Sequence, residues 1–180
     1  MKQADTTLRL GKRYEPQRSK EVDLEKLLNE QSVRSALLGA LLAVFIVGVI
    51  WVAGGLLFDQ FFPWFSVILG LFIGRAVRHY GLGLDWRFPL IAAVAAVIGA
   101  FLGSFASALF LTGREFDTSA LALLGELTWH TVATFATREF GTVGTIYAGM
   151  AAAVAAFFAK RRLDRYEAVA LRKYREGIPG

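Results

Sequence analysis

The chain contains no cysteine, only four prolines and only two histidines. Without cysteine it cannot form disulfide bonds, iron–sulfur clusters or zinc sites built on thiolates. None of the prolines lies at the centre of a long apolar run, so long helices can form without interruption. The two histidines, His79 and His130, are the only imidazoles that could ligate a haem or a metal.

Charge is missing from the longest apolar runs. Hydrophobic residues make up 55% of the chain, whereas soluble domains contain about 45–50%. A helix needs about 20 apolar residues to cross a bilayer, and four such spans are predicted, over 35–58, 61–79, 88–112 and 141–160. The second span is short, and its last turns carry Arg75 and Arg78, whose long side chains can reach the interface.

The basic residues predict the orientation of these spans. All but Arg114 and Arg138 of the 20 lysines and arginines precede the first span, connect the second to the third, or follow the fourth. By the positive-inside rule, both the N-terminal arm 1–34 and the tail 161–180 are cytoplasmic, and the predicted location is a bacterial inner membrane. The net charge of +5 is therefore explained by basic residues that flank the spans, and no binding to nucleic acid is predicted. The long polar arm does not resemble a signal peptide, so we expect the first span to remain as an anchor.

Two further helices are predicted outside the spans. Segment 118–137 is nearly apolar, and as a fifth span it would place the basic cluster 160–165 outside. It is predicted to be a helix in the outer interface or re-entering the membrane, with a true span as the alternative. Its polar residues Glu126, His130 and Thr134 form one narrow stripe on a helical wheel. Within the N-terminal arm, 19–31 predicts a cytoplasmic amphipathic helix. The predicted fold is thus an all-α polytopic membrane protein.

Small residues recur every four positions along the spans, which lets helix backbones approach closely in lipid. The predicted helix-packing residues are Gly70, Gly74, Ala96, Gly99, Gly103, Ser107, Gly144 and Ala148. This pattern fits packing within one chain and packing between subunits.

The spans hold almost no ionisable residue, although a proton path or substrate site in a membrane usually requires one. No catalytic residue is predicted, and no cofactor or metal ion. Glu126 and His130 are close enough on a helix to hydrogen-bond, but neighbouring acids lack ligand spacing. His79 and His130 are the only candidate cofactor ligands, and the predicted topology puts them on opposite sides of the membrane. One chain therefore could not sandwich a haem between them.

The connection between the second and third spans has a distinctive sequence. It reads Gly-Arg-Ala-Val-Arg from Gly74, continues through Gly81 and Gly83, and ends in Asp-Trp-Arg-Phe over 85–88. This stretch resembles a helical hairpin of small, uncharacterised bacterial multi-pass membrane proteins with the pattern G-x-A-V-R … G … D-x-R-F. The resemblance implies a bacterial origin and a recurring hairpin, and it implies no catalytic residue. The two glycines are expected to allow a tight turn with positive φ.

Basic residues of the hairpin, Arg75, Arg78 and Arg87, are predicted to contact lipid headgroups or a partner. Together these features predict a non-catalytic accessory or scaffold subunit of a larger membrane complex. Its expected partners are other membrane protein subunits or itself, and lipid headgroups. The alternative is a homo-oligomeric channel or small-solute transporter, with the polar stripe lining a vestibule.

Overall fold

A computed structural model of the chain describes residues 29–161, together with 163, 165, 168, 169, 171, 172 and 176. Most of the N-terminal arm, including 19–28 of the predicted amphipathic helix, and most of the tail lie outside the described residues. The chain forms two compact units. One comprises Lys26–Arg162; the other comprises Met1–Glu25 and Leu163–Gly180. In the second unit, Arg172 Nε donates to Glu176 Oε1 at 2.9 Å, one helical turn along the chain.

The described residues form helices and no strand, which confirms the all-α class. The helices, labelled in chain order, are α1 (Val33–Phe58), α2 (Phe65–Gly81), α3 (Arg87–Glu115), α4 (Ala120–Gly125), α5 (Trp129–Thr134), a π-helical turn (Phe135–Phe140) and α6 (Gly141–Ala159).

Three of these helices are long and apolar enough to cross a membrane, namely α1, α3 and α6. Their bounds lie close to the predicted spans 35–58, 88–112 and 141–160. The predicted second span corresponds to α2, which has 17 residues and carries Arg78 and His79 in its last turn. It is not one of the three.

Local signals explain where α1 begins and ends. Ser32 is its N-cap, and the Ser32 hydroxyl accepts a hydrogen bond from Ser35 N at 3.2 Å. At the other end Asp59 adopts a left-handed conformation, with φ of 51°, and its N–H bonds back to Gly55 O. Pro63 lies in the connection to α2, where Ser66 Oγ donates to Pro63 O at 2.9 Å.

The long helices pack as two parallel pairs. A β-carbon built on Gly99 or Gly103 of α3 would meet Val44 or Trp51 of α1, so the residue numbers on the two helices rise together. The pair α2 and α6 is arranged in the same way, and it runs antiparallel to the first pair. Helix α2 contacts α1, α3 and α6, and α3 also contacts both α1 and α6. Within the described chain α1 and α6 do not touch, so the bundle is diamond-shaped in cross-section.

One end of the bundle is held by three polar contacts between distant parts of the chain. Ser32 N donates to Gly81 O at 3.0 Å, and Leu84 N donates to Gln31 Oε1 at 3.2 Å. Arg161 Nη1 pairs with Glu30 Oε2 at 3.2 Å. These contacts join the start of α1 to the α2–α3 turn and to the end of α6. We call this the basic end.

The single helix predicted over 118–137 is wrong as one continuous element. The structure divides the segment into α4, α5 and the π-helical turn, because Ser119 and Thr128 each cap a new helix start. Near its start, the segment meets α3, where Thr118 N donates to Gly113 O at 2.8 Å. The π-helical turn packs on α3 through four phenylalanine rings. Phe135 packs edge-on against Phe105, with ring centroids 5.0 Å apart, and Phe140 packs similarly on Phe101 at 5.5 Å.

The glycines of the α2–α3 turn do not adopt the predicted positive φ. Leu82 does, with φ of 48°. A β-carbon on Gly83 would overlap the Phe88 ring, and one on Gly81 would lie 2.8 Å from Ala36 Cβ. Both glycines are therefore required by close approach and not by backbone conformation.

Candidate functional site

An open apolar groove runs along the parallel helices α1 and α3. Its volume is about 430 Å³, within the range of about 300–1,000 Å³ that is usual for ligand sites. Its wall on α1 runs from Val44 to Leu56, and its wall on α3 from Gly99 to Phe110. At 1.5 Å per residue each wall is about 17–18 Å long, roughly three helical turns. All the lining residues are apolar or glycine.

The floor of the groove forms where α1 and α3 touch. A β-carbon on Gly99 would lie 3.1 Å from Val44 Cγ2, and one on Gly103 would lie 2.6 Å from Trp51 Cε3. Trp51 is 1% exposed, and its ring also contacts Phe65 of α2, with centroids 5.6 Å apart. Glycine on α3 thus lets the large indole of Trp51 pack closely against that helix.

Gly48 lies in the α1 wall of the groove. Among the described residues, no neighbouring atom comes within 4 Å of a β-carbon built at this position. The same is true of Gly54, on the same helix, which does not line the groove. Packing within the bundle therefore does not require glycine at position 48.

Two buried polar atoms near this floor lack a hydrogen-bond partner among the described residues. They are the indole nitrogen of Trp51 and the hydroxyl of Ser107. Ser107 lies one helical turn beyond Gly103, which itself packs on Trp51. Each such atom opposes folding by the free energy of its lost solvation, about 1–3 kcal/mol.

All the predicted packing residues except Gly144 lie at contacts between helices or in the bundle core. The buried members are Gly70, Gly74, Ala96, Gly99, Gly103, Ser107 and Ala148, and Gly144 is half-buried. A β-carbon on Gly74 would lie 3.1 Å from Ala155 Cα. On Gly144 it would lie 2.7 Å from the Phe140 ring of the preceding turn, a contact within its own segment.

The residues of the predicted polar stripe lie on different short elements. Glu126 follows the last residue of α4, whereas His130 and Thr134 belong to α5. Glu126 and His130 are exposed, and they do not share a helix. His79 lies in the last turn of α2, at the basic end. Among the described residues, no group of three acidic or histidine side chains is placed to hold a metal ion.

Two of the three predicted headgroup contacts come together. Arg75 and Arg78 line an open groove at the basic end, and Arg87 does not. The other lining residues are His79, Leu82, Phe158 and Arg161. Sequence reasoning missed Phe158 and Arg161, because they join the site only through the parallel packing of α2 on α6. The small residues at Gly70 and Gly74 were the available signal for that packing.

No family model, no curated protein and no solved structure matches this chain.

Proposed function

We propose that this protein is a non-catalytic accessory subunit that holds a transmembrane helix of a partner subunit in the groove between α1 and α3. The observation that carries the proposal is Gly48. Glycine in the interior of a helix costs up to about 1 kcal/mol relative to alanine, and nothing described in the bundle requires it there. A glycine in a groove wall lets another helix backbone approach closely.

The shape and chemistry of the groove support a helix as its occupant. Its walls follow two parallel helix axes for about three turns, and its lining offers no polar group that would orient a small ligand. A flexible acyl chain gains little from a missing β-carbon, whereas a second helix gains a closer backbone contact. Phe45 and Val49 of the α1 wall are exposed. Ile46, which lies beside the groove, is exposed as well and extends the apolar surface that a partner would cover.

The proposal includes a four-span topology. Helix α2 is about 26 Å long at 1.5 Å per residue, close to a hydrocarbon core of about 30 Å. Like α3, it contacts all three of the other long helices of the bundle. Its terminal Arg75 and Arg78 would reach the headgroups by snorkelling. Four spans place both termini on the same side of the membrane.

The basic end of the bundle is proposed to face the cytoplasm of a bacterial cell. Described basic residues at that end are Arg34, Arg75, Arg78, Arg87, Lys160 and Arg161, whereas the opposite end has Arg114 and Arg138. This asymmetry supports the cytoplasmic assignment through the positive-inside rule. On the opposite side, α4 and α5 expose Leu121 and Trp129, with exposed fractions of 81% and 83%. Such a surface fits an interfacial segment at headgroup depth.

A matched pair of substitutions tests the docking groove. Gly48→Leu fills the groove, whereas Gly54→Leu adds the same side chain to the same helix outside it. After mild-detergent purification from native membranes, the unmodified chain and Gly54→Leu should carry a stoichiometric membrane subunit, and Gly48→Leu should lose it. Equal retention by both variants would contradict the proposal. Both purified variants should elute as one symmetrical peak, which excludes misfolding as the cause.

The homo-oligomeric channel or transporter remains the competing function. It predicts that the groove is filled by a second copy of this chain. In that case the purified protein would contain only itself, in a multiple copy number, and liposomes holding it would conduct.

A further inference from the structure

The basic groove, lined by the six residues named above, has a volume of about 640 Å³. It lies where α2 and α6 end, and none of the described residues that line it is acidic. Three arginines and one histidine thus share one open site. This arrangement is independent of the apolar groove between α1 and α3, which lies on other helices.

Close packing of α2 on α6 brings these side chains together. A β-carbon on Gly74 would lie 2.5 Å from Ala155 O and 2.9 Å from Phe158 Cβ. The absence of that carbon lets Phe158 lie directly against the last turns of α2. Because the two helices are parallel, their C-terminal ends meet at the same end of the bundle.

Two of the three guanidinium groups are held in position by neighbours. The Arg75 guanidinium lies over the Phe158 ring, 5.7 Å from the ring centroid, and this cation–π contact uses none of its N–H donors. Arg161 donates one N–H to Glu30; the Arg161 side chain is 18% exposed and that of Glu30 is 34% exposed. Each arginine has five N–H donors, so both retain donors for an anion.

The described residues of the site keep a net positive charge after the nearby negative charges are counted. The C-terminal ends of α2 and α6 each carry a partial negative charge of about 0.5, and Glu30 adds one full charge. Together these offset roughly two of the three arginine charges. The groove therefore stays positive, and an arginine fork suits the oxygens of a phosphate.

Beyond the groove, both helices expose large apolar side chains. Phe72, one turn before Arg75 on α2, is 51% exposed, and Phe157 of α6 is 70% exposed. A ligand with a phosphate in the groove and acyl chains on these rings would match both surfaces. We propose that this groove binds the phosphate of an anionic membrane phospholipid. Glu30, beside the groove, already pairs with Arg161, and no described lining residue offers a carboxylate to the ammonium of a zwitterionic headgroup, so anionic lipids should be preferred.

Native mass spectrometry of the full chain in mild detergent tests this site. The probes are dioleoyl phosphatidylglycerol, dioleoyl phosphatidylcholine and inorganic phosphate, each titrated separately. The unmodified protein should retain one phosphatidylglycerol at least tenfold more tightly than phosphatidylcholine. The double variant Arg75→Gln with Arg78→Gln should lose that preference. The double variant Arg34→Gln with Arg87→Gln removes the same charge at the same end outside the groove, and should keep it.

A second variant, Phe158→Leu, keeps the proposal testable if the double variant Arg75→Gln with Arg78→Gln does not fold. Phe158→Leu keeps every charge and removes the ring beneath Arg75, so binding should weaken about two- to fivefold. Equal weakening by the two arginine double variants would overturn the proposal, since it would show diffuse surface attraction. Displacement of the lipid by inorganic phosphate at similar concentration would also overturn it, and would identify a site for a free anion. Loss of the partner subunit in the Gly48→Leu experiment leaves this result unaffected.

Discussion

Gly70 on α2 lies directly on the backbone of Ala151 on α6. A β-carbon at Gly70 would fall 2.9 Å from both the Cα and the carbonyl carbon of Ala151, and closer still to its carbonyl oxygen. Backbone atoms cannot rotate away as a side chain can. This contact therefore sets the distance between α2 and α6, and with it the position of Phe158 and Arg161 in the basic groove.

Gly70→Ala should force the two helices apart. Overpacking of this kind costs about 1–3 kcal/mol, so the thermal unfolding midpoint in detergent should fall. Gly149→Ala is the matched control, because a β-carbon there meets nothing within 4 Å among the described residues. Alanine has the higher helix propensity, so the control should be neutral or stabilised by up to about 1 kcal/mol. If both variants lower the midpoint equally, the close α2–α6 contact is not as described.

Two buried serines should respond in opposite directions to alanine. Ser107 is 2% exposed, and its hydroxyl has no hydrogen-bond partner among the described residues. Because Ser107→Ala removes a buried polar group that lacks a partner, it should stabilise the protein by about 1 kcal/mol. Ser66 Oγ donates to Pro63 O at 2.9 Å, so Ser66→Ala should destabilise it by a similar amount. Thermal unfolding of both variants in one detergent checks the pair. A destabilised Ser107→Ala would mean that its hydroxyl is satisfied, for example by a bound water.

The sequence predicted the long helices well, because their apolar runs and polar ends are local properties. The predicted first span, 35–58, differs by two residues from Val33–Phe58. The helices within segment 118–137 were harder to predict from the sequence. The helical periodicity of this segment continues through Glu126 to His130, whereas the caps Ser119 and Thr128 restart the helix. The start of α5 is set by the Thr128 hydroxyl, which accepts a hydrogen bond from Thr131 N at 3.3 Å. A pattern of hydrophobic residues contains no information about such a bond.

The basic groove could be predicted only in part. Arg75 and Arg78 are three residues apart on one helix, so the sequence places them together. Arg161 lies more than 80 positions further on, and only the parallel packing of α2 and α6 adds it. The sequence also grouped Arg87 with the first two because all three belong to one connection. In the folded chain Arg87 begins α3, outside the groove.

Cysteine labelling tests whether α2 crosses the membrane. The natural chain has no cysteine, so Gln60→Cys and Asp85→Cys each introduce a unique thiol at an exposed position beyond one end of α2. In spheroplasts of a bacterial host, a membrane-impermeant maleimide should label Gln60→Cys. Asp85→Cys should react only after lysis. Labelling of both thiols from the same side would show that α2 does not span, and a reversed pattern would show the opposite orientation.

The central claim is that a partner helix occupies the groove between α1 and α3, and photo-crosslinking in native membranes tests it most directly. A benzophenone maleimide attached to Phe45→Cys, at an exposed position of the α1 wall where a large side chain already lies, should yield one abundant adduct with a different membrane protein. The same reagent on Gly54→Cys, outside the groove, should yield little of that adduct. Adducts of equal intensity from both positions, or adducts only with lipid or with a second copy of this chain, would contradict the account.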